Sequence, residues 1–183
     1  MQPTVSQVPP IKRVQIRGIA RKIREINQQF GGGDGAFFDI VQFLDIILPR
    51  HCDSFCLEVV EGYELGDAHG LTLPDENRIL IREDVYLGAC DGYGRDRMTM
   101  AHELGHYVLH SNLGFARRIR GAGSIPKYES SEWQADDFGG ELLVSADHIR
   151  QCRTPGEAAL MFGVSIVAAQ YQWRVFGREG LTG

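Results

Sequence analysis

Apolar and polar positions in the first part of the chain follow the period of a helix. Through Ile11–Phe30, isoleucines and an alanine recur at intervals of three and four residues, with arginines between them. This spacing predicts one amphipathic helix. The glycine-rich run Gly31–Gly35 ends it. A second apolar helix is predicted over Ala36–Leu48. It should end before Pro49, because a proline disfavours helical backbone in the residue before it.

Three strands are predicted next, since short apolar and β-branched runs are separated by turn residues. They cover Ser54–Glu61, His69–Leu73 and Arg78–Arg82 and indicate a small, partly antiparallel sheet. The helical period then returns over Arg97–Ser111. The intervening Gly88–Gly94 is predicted to be a loop.

The rest of the pattern predicts a long loop and further helices. Gly114–Ser130 is a basic, glycine-containing loop, and a helix follows over Ser131–Leu143. Thr154–Phe176 has the outline of two short helices, either a helix-turn-helix unit or a hairpin packed on the body. The second of these helices lacks a row of basic residues, which favours the packed hairpin. We therefore expect a main domain at residues 1–150 and a small helical segment at 151–183 packed on it.

The composition is that of an ordinary water-soluble protein. The 183 residues are 43% hydrophobic and carry a formal net charge of −5, which suits one well-packed domain and argues against a basic surface over the whole protein. No stretch is apolar over the roughly 18 residues that span a bilayer, and no apolar leader is present. A cytoplasmic protein without a membrane partner is expected, so the four cysteines should be free thiols.

Basic residues are concentrated in two segments. Residues 12–24 contain six basic side chains and no acidic one. The second segment contains Arg117, Arg118 and Arg120, which we take as candidate contacts to nucleic acid. Runs of this kind are more often solvated faces than binding sites.

The sequence His102-Glu103-Leu104-Gly105-His106 carries the most specific chemistry in the chain. On a helix, residues four apart lie on one face, so both imidazoles can bind the same ion, and neutral imidazole suits zinc. Glu103, beside the first ligand, can reach a zinc-bound water without occupying a ligand position. It is therefore the candidate catalytic base.

A catalytic zinc requires a third protein ligand and an open fourth position. Glu132 is the preferred candidate, since it follows in the next predicted helix. Asp136, one turn further on, can accept a hydrogen bond from a ligand imidazole and fix its tautomer. Glu129 and His110 remain competing ligands. For His110 we favour a packing or hydrogen-bonding role, because the helical face has turned by about 80° over two turns.

The block Arg95–His110, followed by the pattern Glu132-x-x-Ala135-Asp136-x-Phe138-x-x-x-Leu142-Leu143, resembles the ImmA/IrrE family of metallopeptidases. The resemblance covers about residues 78–144. It implies an α+β fold, mainly helical, with a small three-stranded antiparallel or mixed sheet beside the zinc helix. It also implies Zn2+ as cofactor, His102, His106 and Glu132 as ligands, and Glu103 as base. The sequence departs from the family at several positions, namely Met98, Met100, Asp136, Gly139-Gly140 and Val144-Ser145, none of which removes a ligand.

The family resemblance also implies a function in regulation. Its members are similar to zinc endopeptidases that cleave a helix-turn-helix repressor and so switch on a stress, mobile-element or anti-phage operon. Such a protease needs restraint, and Cys90, in a glycine-flanked segment before the zinc helix, is a candidate inhibitory zinc ligand because thiolate binds zinc well. Single-stranded DNA at Arg117, Arg118 and Arg120 is a possible releasing effector.

Two other functions are alternatives to a peptidase. A DNA-binding regulator with a structural zinc site would need four protein ligands and would have no use for Glu103. A nucleobase deaminase would need a C-x-x-C pair, which does not occur in the sequence. The residue that stabilises the oxyanion is left open among Tyr93, Tyr128 and His148.

Overall fold

The computed structural model describes residues 6–111, 117–118 and 126–182. In these ranges the chain is mainly helical with a small mixed sheet, which confirms the predicted α+β class. The helices are α1 Arg13–Gln29, α2 Ile40–Gln42, α3 Leu48–His51, α4 Gly62–Leu65, α5 Glu83–Cys90, α6 Gly94–His110, α7 Ser131–Leu143, α8 Pro155–Phe162 and α9 Ile166–Arg178. The strands are β1 Ser6–Gln7, β2 Cys56–Val60, β3 Gly70–Leu73, β4 Arg78–Arg82 and β5 Arg117–Arg118.

The three predicted strands form one sheet in the order β2–β4–β3. The central strand β4 runs parallel to β2 and antiparallel to β3. Its residues Ile79 and Ile81 are completely buried, while the alternate residues Arg78, Leu80 and Arg82 are only partly covered. This alternation is that of a strand with one face on the core. A separate pair, β1 with β5, was not expected from the sequence.

The helical segment before the sheet continues past Pro49, where the sequence predicts that it ends. A π-helical turn, Phe43–Ile47, lies between α2 and α3, and Pro49 sits at the start of α3. In this turn the Leu48 amide reaches back five residues to the Phe43 carbonyl. The wider turn accommodates a proline, which has no N–H to donate and crowds the preceding turn of an α-helix.

The predicted loop Gly88–Gly94 is wrong over its first part, since α5 runs to Cys90. Gly88 is a packing glycine in a helix. A β-carbon there would clash with the Asp96 carboxylate in the first turn of α6 and crowd the ring of Tyr93, the residue just before that helix. A glycine that permits close helix contact looks the same in sequence as one that makes a turn, which is why the pattern misled.

Helices α6 and α7 form the centre of the molecule and approach each other closely. A β-carbon on Gly105 would lie 3.0 Å from the backbone of Ala135, and one on Gly139 would lie 3.4 Å from the His102 amide nitrogen. Small residues at both contacts let the two backbones meet. The side chains that project beside the contact are thereby brought within reach of one another.

Helix α1 is bound to the far side of α7 by a row of ion pairs. Arg13 contacts Asp137 at 2.6 Å and Arg17 contacts Glu141 at 2.7 Å, and both carboxylates are buried. Arg21 extends the row to Asp147 at 2.5 Å. Three of the six basic side chains of residues 12–24 are therefore paired with carboxylates of the same chain.

The C-terminal helices α8 and α9 share the core of the rest of the chain. Phe162 and Phe176 are completely buried in it. Arg97 of α6, only 1% exposed, donates to the carbonyl oxygens of Phe162 at 2.9 Å and Phe38 at 2.6 Å, and also to that of Gly163. Within the described residues, no helix has the length and apolar character needed to cross a bilayer.

Candidate metal centre

The contact between α6 and α7 brings His102, His106 and Glu132 into one group. The Nε2 atoms of the two histidines lie 3.0 Å apart, and each is 3.5 Å from an oxygen of Glu132. One ligand atom from each residue lies within 4.8 Å of the others. No other group of three or more His, Cys, Asp or Glu side chains among the described residues meets this condition.

The donor set fits a catalytic metal ion. Two imidazole nitrogens and one carboxylate oxygen form the His2Glu set of several zinc hydrolases, which leaves a fourth position for water or substrate. The three side chains are partly covered, and one of them, His102, lines a cleft of about 340 Å³. His102 and Glu103 both line that cleft, so it gives access to the metal centre.

Asp136 orients the first histidine. Its Oδ1 lies 2.7 Å from Nδ1 of His102, so Nδ1 donates to Asp136 and Nε2 is the nitrogen directed at Glu132. Burial opposes a charge on His102, but the hydrogen bonds to Asp136 and Glu132 outweigh it and raise its pKa to about 10. The interactions with His102 and His106 hold the pKa of Glu132 far below its usual value. The site therefore favours a cation, whether a proton or a metal ion.

The second histidine is held by a chain of polar side chains. His106 Nδ1 lies 3.1 Å from His110 Nδ1, and His110 Nε2 lies 3.1 Å from Gln134 Oε1. His110 thus contacts a ligand histidine but is not part of the three-residue group. Burial lowers its pKa to about 4, in spite of the hydrogen bond to Gln134. Glu129, the other competing ligand, instead accepts from Gln7 at 2.6 Å.

Glu103 lies beside the ligands at the bottom of the cleft and is 7% exposed. Thr72 of β3 is placed to donate to its Oε2 at 2.6 Å. Gly70, at the start of β3, leaves room for the carboxylate, because a β-carbon there would lie 2.7 Å from Glu103 Cγ. Gly70 leaves space for the Glu103 carboxylate and Thr72 contacts it, so β3 determines where this carboxylate lies.

Sequence reasoning missed several cleft residues, among them Arg95 and His69. Arg95 Nη2 lies 3.4 Å from His69 Nε2. Arg95 stands four residues before Thr99 and seven before His102, all on the cleft side of α6. That helical spacing was available as a signal. The position of His69 depends on how β3 packs and could not be read from spacing.

The remaining sequence candidates lie elsewhere. Cys90 is exposed at the end of α5 and is not part of the metal-binding group. Arg117 and Arg118 form β5, and Arg120 lies outside the described residues. The three oxyanion candidates, Tyr93, Tyr128 and His148, are not among the residues that line the cleft.

Comparison with known proteins gives a family match for the sequence and a solved structure with a similar fold. The family model described as IrrE N-terminal-like domain, Peptidase_M78, matches residues 57–174. No curated protein matches the chain significantly. A solved structure described as a Mycobacterium tuberculosis transcriptional regulator has a similar fold, with a TM-score of 0.54 and 14% sequence identity over 87% of this chain. This chain covers 50% of that protein.

Proposed function

This chain belongs to the Peptidase_M78 family of IrrE N-terminal-like domains, and from this we propose that it is a zinc-dependent endopeptidase. In this proposal His102, His106 and Glu132 hold the ion and Glu103 is the general base. The observation that carries it is the convergence of these three ligand atoms beside a buried carboxylate, at the bottom of an open cleft.

The protein residues have distinct tasks in peptide hydrolysis. A bound zinc ion would supply a Lewis acid that polarises the scissile carbonyl and lowers the pKa of water. Thr72 is placed to donate to Oε2 of Glu103, and Oε1 can accept a proton from the attacking water and return it to the leaving nitrogen. Asp136 keeps the imidazole of His102 in its ligand orientation throughout.

The sheet supports an extended protein segment as substrate. β3 is an edge strand and also carries the residues that contact Glu103. An extended protein segment can add to such an edge through backbone hydrogen bonds and so lie across the cleft. We propose that the segment belongs to a helix-turn-helix repressor, whose cleavage switches on a stress, mobile-element or anti-phage operon. The structural neighbour described as a transcriptional regulator is in keeping with this setting.

Control of the activity is part of the proposal. Single-stranded DNA bound around Arg117, Arg118 and Arg120 would act as the releasing effector, and Cys90 as an inhibitory zinc ligand. The ligand role of Cys90 would require the end of α5 to unwind toward the cleft, since the thiol now ends a helix outside the group. A salt-dependent interaction with single strands would support the effector, and its absence at low salt would contradict it.

A structural zinc site in a DNA-binding regulator is less well supported. Such a site is closed by four protein ligands. The described residues supply three, and their group borders a cleft. A base carboxylate beside the ligands would have no task in a closed site.

The test separates the ligand from the base. Glu103→Gln should retain zinc and lose about 100- to 10,000-fold in the rate of repressor cleavage. Glu132→Gln should lose the zinc itself, whereas the matched control Glu129→Gln should keep both zinc and cleavage. Zinc content by elemental analysis and cleavage of the repressor from the same operon by gel electrophoresis give the two readouts. A wild-type protein that binds no zinc would contradict the proposal.

A further inference from the structure

Gln134 is a completely buried glutamine in the first turn of α7, two residues after Glu132. Its Nε2 lies 2.9 Å from the carbonyl oxygen of Pro9 and 2.8 Å from that of Tyr128. Carbonyl oxygens only accept hydrogen bonds. The NH2 group must therefore face the two carbonyls, and the amide oxygen must face the other way.

This fixed amide orientation determines where the next protons lie. Oε1 of Gln134 faces His110 Nε2 at 3.1 Å, so Nε2 of His110 must carry a hydrogen and donate. In a neutral imidazole the other nitrogen then accepts. His110 Nδ1 is 3.1 Å from His106 Nδ1, so the latter nitrogen carries the hydrogen. Nε2 of His106 is left with a lone pair that faces His102 and Glu132.

We propose that Gln134 and His110 are positioning residues which fix the tautomer of His106 in its metal-binding form. The inference rests on the proposed function, because it takes His106 as a metal ligand. Two backbone carbonyls set the polarity of the whole chain of hydrogen bonds. The site is thus prepared for the ion by groups that never contact it.

The two ligand histidines are held in different ways. His102 depends on Asp136, an exposed carboxylate in contact with solvent. His106 depends on a chain that begins at a buried amide and ends on two separate segments, one before α1 and one before α7. Replacing the amide therefore disturbs His106 without touching Asp136.

The decisive variant is Gln134→Met, which keeps the volume of the side chain and removes its hydrogen bonds. We expect the dissociation constant for Zn2+, measured by competition with a chromogenic chelator, to rise by about 10- to 100-fold. The matched control is Gln172→Met, since Gln172 is 1% exposed and its amide has no hydrogen-bond partner among the described residues. This control should bind Zn2+ as the wild type does.

A second pair of variants keeps the test decisive if Gln134→Met does not fold. In His110→Asn the amide oxygen can replace Nδ1 as acceptor for His106, whereas His110→Phe removes the acceptor. Zn2+ affinity should fall in the order wild type, His110→Asn, His110→Phe. Equal affinities in the two variants would overturn the inference.

A spectroscopic readout separates tautomer control from simple packing. Long-range 1H–15N NMR of the zinc-loaded wild type should show His110 as the neutral Nε2–H tautomer. A hydrogen on Nδ1 of His110 would overturn the inference, as would Zn2+ binding by Gln134→Met as tight as in wild type. Failure of the wild type to bind Zn2+ would instead contradict the proposed function, so the two failures are distinguishable.

Discussion

Asp136 and Asp137 are neighbours in sequence but serve opposite sides of α7. Asp136 accepts from His102 on the cleft side, and Asp137 accepts from Arg13 on the side of α1. Both contacts of Arg13 go to Oδ1, at 2.7 Å from Nε and 2.6 Å from Nη2, while the buried Oδ2 has no hydrogen-bond partner among the described groups. Burial therefore outweighs the attraction of Arg13, and the pKa of Asp137 is raised above its ordinary 3.8.

This raised pKa predicts a signed pH dependence. A carboxyl group whose folded pKa is raised contributes stability that is full below 3.8 and is lost as the pH rises through the folded value. In Asp137→Asn this titration is absent. The unfolding free energy of wild type minus that of the variant should therefore be smaller at pH 7 than at pH 4. Urea unfolding at both pH values measures it, and a larger difference at pH 7 would contradict the argument.

At this scale the grouping of the candidate ligands could be predicted, and the residues that support them could not. The spacing of His102 and His106 is local and follows from helix geometry. Gln134 offered no signal, because its importance depends on the carbonyls of two distant segments. Arg95 carried a helical spacing signal, but nothing in the sequence gave it a partner in His69.

At the scale of elements, the site depends on how closely α6 and α7 approach. Gly105 lies against the backbone of Ala135, which cannot move aside as a flexible side chain could. The Nε2 atoms of His102 and His106 and the carboxylate of Glu132 meet across this contact. The separation of the two helices therefore sets the size of the metal centre.

Adding one methyl group at this contact should separate the helices. Gly105→Ala should lower the unfolding free energy by about 1–3 kcal/mol and weaken zinc binding as well. The control is Gly18→Ala in α1, where an added β-carbon meets nothing within 4 Å. This control should be stabilised by up to about 1 kcal/mol, from helix propensity alone. Unchanged zinc affinity in Gly105→Ala would show that the helix spacing does not govern the site.

Element boundaries were predictable where local signals were unambiguous. The helix predicted over Ser131–Leu143 has those bounds in the structure, because Ser130 caps its first turn by accepting from the Trp133 amide. The helix α5 was missed, because its Gly88 permits a tertiary contact that the sequence alone does not reveal.

At the scale of the whole molecule, Arg97 connects α6 to the C-terminal helices. Its guanidinium is buried against the Phe37 ring, with the ring centroid 4.0 Å from Cζ, and it donates to three backbone carbonyls from two segments of the chain. Burial lowers its pKa to about 10. The group nevertheless stays charged at neutral pH, and it satisfies carbonyls that would otherwise be buried without partners.

Removing this guanidinium should weaken the connection between the two parts of the chain. Arg97→Met should lower the unfolding free energy by about 3 kcal/mol or more, because it leaves buried carbonyls unpaired. Arg174→Met, on the exposed face of α9, is the control and should change stability little.

The same unfolding experiment tests how the parts cooperate. Trp133 lies in α7 and Trp173 in α9, so single-tryptophan variants report on the main body and on the C-terminal helices separately. Coincident transitions are expected, because both helices share one core. Two separate transitions would show that residues 151–183 unfold independently.

The hydrogen bond from Gln134 to Pro9 also has a consequence for biosynthesis. These residues are 125 positions apart, so at about 5–20 residues per second the ribosome adds the second roughly 6–25 s after the first. The carbonyl of Pro9 therefore lacks this donor until α7 has been synthesised. Under the proposed function, metal uptake in the finished geometry would be a late event in translation, and a truncated nascent chain that already carries both histidines would still lack the complete site.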